Sequence, residues 1–297
     1  MFHLSWRSLL PFVIIMPAAV LFTGCDSTEI DPFQNDGRYF SVYGFLNDVD
    51  NRQAVRVVPV RRSPERIGAP HDPHADIDAR VTTTDTLTGQ VVHWNHVLTQ
   101  LSDGTYGHVF RANINILAGR TYRLDVVRED GRSASAMTTV PAVLSTRALP
   151  AEPVALSDTT IFQDIFLPGI HSPWNVRVVY YFPDRAPMRI DYGRPGEAVE
   201  GEGWSFRVDF HRDVALMLEA FQTATVSEIE WDAMGVELLA LDRNWDPPGD
   251  VFDPEILAQP SSLSNVENGY GYFGSTALFQ DSWPNSGALD ALFGFSP

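Results

Sequence analysis

Apolar and polar residues alternate along much of the chain after residue 38, with the period of two that is typical of β-strands. The alternation is clear at 39–46 and 77–84. It is clearest at 122–126, where three apolar residues alternate with Arg123 and Asp125. The pattern predicts that each of these segments is a strand with one face in a core.

Turn signals separate these segments. Thr88-Gly89, Asp103-Gly104 and Asp130-Gly131 are dipeptides that reverse a chain between strands. Pro141 ends the series because proline cannot donate a hydrogen bond to a strand ladder. Six or seven short strands in about 100 residues predict an immunoglobulin-like antiparallel β-sandwich over 39–141. The stretch 118–126 resembles the penultimate strand of immunoglobulin-like modules in bacterial surface proteins.

The second half, 142–297, is predicted to be another β-rich domain with one short helix. Three prolines, Pro141, Pro150 and Pro153, mark the link to it. His211 to Gln222 has the spacing of an amphipathic helix, whose inner face is Val214, Met217, Leu218 and Phe221. The predicted strands are Ile161–Phe166, Asn175–Phe182, Met188–Tyr192, Trp204–Phe210, Val226–Trp231 and Val236–Leu241.

The first 24 residues differ from the rest of the chain. Arg7 supplies one positive charge, and an apolar run of about 15 residues follows, which is shorter than the roughly 20 that a membrane-spanning helix needs. A charged start, a short apolar centre and a small-residue cleavage site are typical of a secretory signal peptide. The segment Leu21-Phe22-Thr23-Gly24-Cys25 resembles the lipobox of bacterial lipoproteins, although Phe22 stands where leucine is commoner.

Cys25 is the only cysteine in the chain and directly follows the apolar run. It is therefore the predicted site of lipid attachment, through diacylglycerol and an amide-linked acyl chain such as palmitate. More than one acyl chain gives stable membrane anchoring. No intramolecular disulfide can form, so the fold depends on its core. Residues 25–38 are polar and are predicted to be a tether, which could extend for roughly 40 Å.

Charge narrows the range of partners. The chain has 38 acidic residues and 21 basic ones, giving a net charge of −17, and every basic residue is arginine. An acidic surface repels nucleic acid, so nucleic-acid binding is not expected. Two explanations of this composition stay open. One is adaptation to high salt, where charges are screened over about 3 Å at 1 M, and the other is a GC-rich genome that favours arginine codons.

Several motifs were weighed as sites. Gly269, Gly271 and Gly274 form the spacing of a dinucleotide-binding fingerprint. That fingerprint needs a strand before it and a helix after it, and neither a helix nor a βαβ unit is predicted. A turn or bulge is therefore the favoured interpretation. His93 and His96 would lie on opposite faces of one strand and are not expected to bind a metal.

Two loops contain metal-ligand residue types. His71, His74 and Asp76 offer zinc ligands in a proline-containing loop whose geometry the sequence does not define. The stretch 242–250 places oxygen ligands at Asp242, Asn244 and Asp246 as a calcium loop does, but its glycine is out of place. Solvated loops are the favoured interpretation, so no metal or cofactor is predicted, and whether the loops near His71 or Asp242 bind metal is left open.

No catalytic residue is predicted. The nucleophile-elbow pattern is absent, the single thiol is expected to be lipidated, and acids are too numerous for any pair to stand out. The alternative function is a secreted-side hydrolase, glycosidase-like, with acidic catalytic residues. A deep pocket with two carboxylates would favour that hydrolase. An exposed aromatic surface using Trp204, Trp231 or Trp245 would favour binding.

The segment 263–275, LSNVENGYGYFGS, is the most distinctive in the chain. Together with the lipobox and Thr139-Val140-Pro141, it resembles the envelope lipoproteins of the family called domain of unknown function 4249. The family has no established activity, so the resemblance supplies no catalytic residues. It implies an outer-membrane location beside nutrient-uptake receptors. The expectation is a lipid-anchored envelope protein of binding or scaffolding type.

Overall fold

The computed structural model describes residues 37–60, 66–157, 160–243, 245, 264–285 and 287–293. These residues lie in one compact unit that begins at Gly37. The predicted signal peptide at 1–24, Cys25 and nearly all of the tether lie outside the described residues. The described chain is mainly β, as predicted, with several sheets in which almost all neighbouring strands are antiparallel.

The first half forms eight strands. The alternating pattern at 122–126 is confirmed, because Tyr122, Leu124 and Val126 are buried while Arg123 is exposed. The predicted hairpin turn at Asp130-Gly131 is also confirmed, and Gly131 has a φ of 81° that favours glycine. The strands are β1 (Phe40–Asn47), β2 (Arg52–Pro59), β3 (Arg80–Asp85), β4 (Val91–His93), β5 (Asn95–Gln100), β6 (Tyr106–Asn113), β7 (Thr121–Val127) and β8 (Ser133–Thr139).

The second half contains ten strands and two helices among the described residues. Five of the six predicted strands and the predicted helix are confirmed within a few residues. The elements are β9 (Leu149–Pro150), β10 (Val154–Ser157), β11 (Thr160–Pro168), β12 (Pro173–Tyr181), β13 (Met188–Gly193), β14 (Glu197–Val199), β15 (Gly203–Asp209), α1 (Phe210–Phe221), β16 (Ala233–Leu241), β17 (Val266–Glu267), β18 (Gly269–Pro284) and α2 (Ala288–Phe293).

The predicted strand at Val226–Trp231 is wrong. Residues Val226–Glu228 form a 3₁₀ turn, and Ile229 N–H donates locally to the Val226 carbonyl. Ile229 and Trp231 are buried, which accounts for the alternation in the sequence. The segment packs these two side chains into the core without pairing with a strand. The alternation of apolar and polar residues therefore indicates burial here and does not indicate strand pairing.

Helix α1 begins because Asp209 caps it. The Asp209 carboxylate accepts hydrogen bonds from the backbone N–H groups of His211 and Arg212, which have no partner within the helix. The helix ends at Gln222, whose φ of 54° and ψ of 36° are left-handed. Val214 and Met217 are buried against the sheets, as the helical spacing predicted.

The described strands form three sheets. An eight-stranded sheet has the order β13-β12-β16-β18-β1-β2-β6-β5. A five-stranded sheet has the order β17-β8-β7-β3-β4, and another has β10-β11-β15-β14 with β9 beside β11. The parallel pairing of β1 with β18, from Phe40 opposite Gly269 to Asn47 opposite Thr276, joins the two halves in one sheet. The domain boundary between residues 141 and 142 stays a prediction. Any division there would place strands of this one sheet in two different domains.

Both halves contribute to one hydrophobic core. It contains Phe110 and Tyr122 from the first half and Tyr180 and Phe206 from the second. The chain passes from one sheet to another at Trp94, between β4 and β5, and the Trp94 indole donates to Thr83 Oγ1 at 2.9 Å. A core shared in this way holds the ends of the sheets in fixed relative positions.

Candidate functional site

The three glycines of the tail lie within a single strand. Gly269, Gly271 and Gly274 are all in β18, which runs through the middle of the eight-stranded sheet. A dinucleotide fingerprint requires its glycines at a strand-to-helix turn, so these glycines cannot bind a pyrophosphate in the way that this motif does. Gly271 has a φ of 90°, which fits the predicted role of glycine at a position of positive φ.

These glycines allow other groups to approach β18 closely. A Cβ at Gly271 would collide with the Val42 carbonyl of β1. A Cβ at Gly274 would lie 2.8 Å from Asp242 Oδ2 and 2.7 Å from Phe45 Cε1. The glycine spacing therefore serves the packing of β1 and of Asp242 against β18.

Two asparagines complete the tail motif. Asn265 Oδ1 accepts from the Phe273 N–H at 2.9 Å, and its Nδ2 donates to the Phe273 carbonyl at 2.7 Å, so the side chain pairs with β18 as a backbone would. Asn268 has a φ of 53° between β17 and β18. Since β17 pairs with β8 and β18 pairs with β1, this corner moves the chain from one sheet to another.

Asp242, at the end of β16, is the centre of a buried hydrogen-bond network. Its side chain is fully buried, and Oδ2 accepts from Thr138 Oγ1 at 2.9 Å and from the Ser275 N–H at 3.0 Å. Oδ1 accepts from the Tyr272 hydroxyl at 2.8 Å. Thr138 Oγ1 and Ser275 Oγ lie 2.7 Å apart. The carboxylate thus links β8 of one sheet to β18 of another.

The network has consequences for the neighbouring groups. Burial and the Asp242 carboxylate raise the pKa of Tyr272 well above its usual value, so its hydroxyl stays a donor. The Tyr272 ring packs edge-on against Trp245 at 4.7 Å, and Phe45 packs against both. Both Asp242 oxygens accept hydrogen bonds from the protein. Asn244, Asp246 and the rest of the proposed calcium loop lie outside the described residues.

A cleft of about 510 Å³ opens beside Asp242. Four segments form its walls: the turn before β7, the end of β8 and the link that follows it, the turn between β11 and β12, and the end of β16. Its volume falls within the roughly 300–1,000 Å³ that small-molecule sites occupy. The lining residues are Gly119, Thr139, Val140, Pro141, Ala142, Gly169, Ile170, His171, Ala240, Leu241, Asp242 and Arg243.

Backbone hydrogen bonds hold each wall in place. Val140 N–H donates to the Arg120 carbonyl at 2.9 Å, and Leu241 N–H donates to the Ser172 carbonyl at 2.9 Å. Gly169 N–H donates to the Glu202 carbonyl at 2.8 Å. A cleft built on rigid strand ends can bind without first ordering its walls, which lowers the entropic cost of association.

The polar groups of the cleft are concentrated at Arg243 and His171. Arg243 Nη2 donates to His171 Nε2 at 2.9 Å. Burial, followed by the charge of Arg243, lowers the pKa of His171. A neutral imidazole that accepts at Nε2 carries its proton at Nδ1. Arg243 is exposed, and no carboxylate of the described residues lies within ion-pair distance of it.

A second buried carboxyl lies at the start of α1. Asp213 is fully buried, and its Oδ2 accepts from the hydroxyls of Tyr180 at 2.7 Å and Tyr192 at 2.9 Å. Asp213 Oδ1 is buried and has no hydrogen-bond partner among the described residues. Burial raises the pKa of Asp213 from 3.8 to about 6, against the opposing effect of the two tyrosine hydroxyls.

The histidines singled out in the sequence do not come together in one site. His93 ends β4 and His96 is in β5, so they belong to different sheets and not to one strand as predicted. His96 Nε2 instead lies 3.0 Å from Nδ1 of His108 on β6. His71, His74 and Asp76 lie in a loop before β3. Within the described part of the chain, no group of three or more histidine, cysteine or acidic residues is placed to hold a metal ion.

The three tryptophans whose exposure would have favoured an aromatic binding surface are in the interior. Trp204, Trp231 and Trp245 are each no more than 6 % exposed, so an aromatic surface built on them is ruled out. The cleft residues His171 and Arg243 were missed by the sequence analysis. They are 72 positions apart, and nothing in their local sequence indicates that they meet. Asp213 was likewise not identified from the sequence as a candidate site residue.

Comparisons with known proteins give no family. No protein-family model matches the chain, and no curated protein matches it. Two similar solved structures are pullulanase type I from Bacillus subtilis str. 168 complexed with maltose (12% identity, TM-score 0.20, 68% of this chain and 23% of that one) and pullulanase from Anoxybacillus sp. LM18-11 (8% identity, TM-score 0.20, 67% and 24%). A third is a tetra-tandem repeat in the extending region of a large adhesion protein (14% identity, TM-score 0.20, 83% and 49%).

These likenesses are too weak to carry an argument about function. The chain spans about a quarter of the length of either pullulanase. Among the described residues, none of the helices has the length and apolar character required to cross a bilayer.

Proposed function

We propose that the chain is a lipid-anchored protein of the cell outer membrane, of binding or scaffolding type, and that the cleft beside Arg243 is its binding site. The observation that carries the binding role is the cleft itself: it has the volume of a ligand site, and its walls are held by backbone hydrogen bonds. The lipobox at 21–25 supports the anchor. The compact unit begins at Gly37, close to the predicted end of the tether.

The described lining of the cleft does not contain the pair of acids that the alternative function needs. A glycosidase uses two carboxyl groups about 5–10 Å apart on either side of the scissile bond. Among the described lining residues the single carboxylate is Asp242, and its oxygens accept hydrogen bonds from Thr138, Ser275 and Tyr272. We therefore favour binding over glycoside hydrolysis at this site. The hydrolase would instead be favoured if the purified chain released reducing ends from a polysaccharide and lost that activity when an acidic residue was mutated.

The anchor is tested at Cys25. We expect wild-type cells given an alkyne analogue of palmitate to label the chain and to retain it in outer-membrane fractions after salt and carbonate washing. Cys25→Ser removes the thiol that accepts the lipid, so it should take no label and should accumulate as an uncleaved or mislocalised precursor. Ser27→Ala, two residues away, is the matched control and should behave as wild type. A washed membrane fraction that retains Cys25→Ser would refute the anchor.

The binding role is tested from within the cleft. A photo-crosslinking phenylalanine analogue at Ala142, which lines the cleft, should capture a specific envelope component in living cells, with an outer-membrane uptake receptor as the expected class of partner. The same analogue at Leu87, an exposed residue outside the cleft lining, is the control. Identical adducts from both positions, or none from Ala142, would contradict the proposed role of the cleft.

A further inference from the structure

The cleft combines an apolar interior with a cation at its edge. Pro141, Ala142 and Leu241 line it and present apolar surface that a ligand can reach, since Ala142 is exposed, Pro141 is half-buried and Leu241 is 8 % exposed. Among the described lining residues, Arg243 alone has a permanent positive charge, and it is exposed. This arrangement suits a ligand with an apolar body and a charged end.

The described side chains at that edge carry a positive charge, although the chain as a whole is strongly acidic. Asp242 and Arg243 are adjacent in sequence, but Asp242 is fully buried and satisfied by Thr138, Ser275 and Tyr272. Its carboxylate is therefore occupied within the network. The one hydrogen bond that Arg243 makes to a described side chain goes to the neutral imidazole of His171.

Guanidinium chemistry defines what Arg243 can hold. The group has five N–H donors, and its planar fork matches two oxygens of a carboxylate or a phosphate. The Nη2 bond to His171 fixes one edge of the fork and leaves donors on the other nitrogens.

We propose that the cleft binds an amphiphilic organic anion, with its carboxylate or phosphate on Arg243 and its apolar body against Pro141, Ala142 and Leu241. This inference rests on the proposed function, since it names the ligand class for the same cleft. The net charge of −17 favours cations over the surface on average. Preference for an anion is therefore a specific consequence of the Arg243 edge.

Calorimetric titration of the polypeptide Asp26–Pro297, which contains the whole compact unit, tests the proposal. The probes are octanoate, octyl phosphate and octylammonium, which share one apolar chain. Octanoate or octyl phosphate should bind, and the stronger of the two identifies the acid group. Octylammonium should bind at least tenfold more weakly than that anion. Stronger binding of octylammonium would overturn the inference.

Arg243→Gln should weaken anion binding about tenfold or more, since a charge-assisted pair is lost. Arg243→Lys should retain part of it, and Arg52→Gln, which removes an exposed arginine paired with Asp50, should leave it unchanged. Equal anion affinity in wild type and Arg243→Gln would overturn the inference, as would the failure of both anions to bind. If either result came with a specific crosslink from Ala142, the proposed function would stand and only the ligand class would fall.

Discussion

Asp213 should make the stability of the protein fall as the pH rises from about 4 to 7. Its carboxyl is fully buried, and one of its oxygens has no hydrogen-bond partner among the described residues. Burial raises its pKa from 3.8 to about 6. Between those two pH values the folded chain binds a proton at Asp213 that the unfolded chain does not, so protonation favours the folded state and rising pH removes that advantage.

The size of the effect follows from the shift. A difference of about 2 pKa units, at 1.36 kcal/mol each, corresponds to about 3 kcal/mol of unfolding free energy. The loss begins above about pH 4 and is nearly complete by about pH 7. Asp213→Asn cannot titrate, so the difference between wild type and Asp213→Asn isolates this carboxyl from all the other acids.

Urea unfolding of the Asp26–Pro297 chain at half-unit pH intervals measures that difference. Relative to Asp213→Asn, wild type should lose about 3 kcal/mol between pH 4 and pH 7. Asp184→Asn removes the same formal charge from an exposed position between β12 and β13 and is the matched control. A difference curve that is flat within about 0.5 kcal/mol would refute the reasoning. A curve that rises with pH would mean that Tyr180 and Tyr192 outweigh burial.

Three further predictions concern packing, the buried network and charge. Gly274→Ala places a Cβ among Tyr272, Phe45 and Asp242, so thermal unfolding should show a loss of about 1–3 kcal/mol in stability. The control Gly68→Ala, with no atom within 4 Å of its Cβ, should be nearly neutral, and equal effects of the two substitutions would contradict the packing role of Gly274. Asp242→Ala leaves the donors of Thr138, Ser275 and Tyr272 without an acceptor, so urea unfolding should show a loss of more than about 3 kcal/mol in stability. A loss below about 1 kcal/mol would exclude the network as a main link between the sheets. The melting temperature of Asp26–Pro297 should rise between about 0.1 and 1 M NaCl, because the screening length falls from about 10 to about 3 Å. A flat or falling melting temperature, against a sucrose control of equal osmolarity, would favour codon bias over a saline habitat as the explanation of the acidic, arginine-only composition.

Strand positions were predictable because each strand has one buried face. The alternation at 122–126 and the glycine turns of the first half are local signals, and the structure confirms them. Helix α1 was predictable for the same reason, from the spacing of Val214 and Met217. The strand prediction at Val226–Trp231 was wrong because alternation reports burial and not strand pairing. Ile229 and Trp231 both enter the core, but their segment pairs with no strand.

Contacts between distant segments were not predictable from local patterns. The parallel pairing of β1 with β18 joins residues about 230 positions apart, and no short motif encodes it. The glycine spacing in the tail was recognised as unusual, but its cause lies in Val42 and Asp242, which the sequence does not place nearby. His171 and Arg243 meet only because β11, β12 and β16 bring their ends together.

The most direct test of a ligand-binding cleft is a methyl NMR titration of Asp26–Pro297 with octanoate and with octyl phosphate. If the account is correct, the largest shift changes fall on Val140, Ala142, Ile170 and Leu241, which line the cleft. The changes saturate with increasing ligand and are strongly reduced in Arg243→Gln. Changes that cluster away from these residues, or that are the same in Arg243→Gln, would contradict the assignment of this cleft as the binding site.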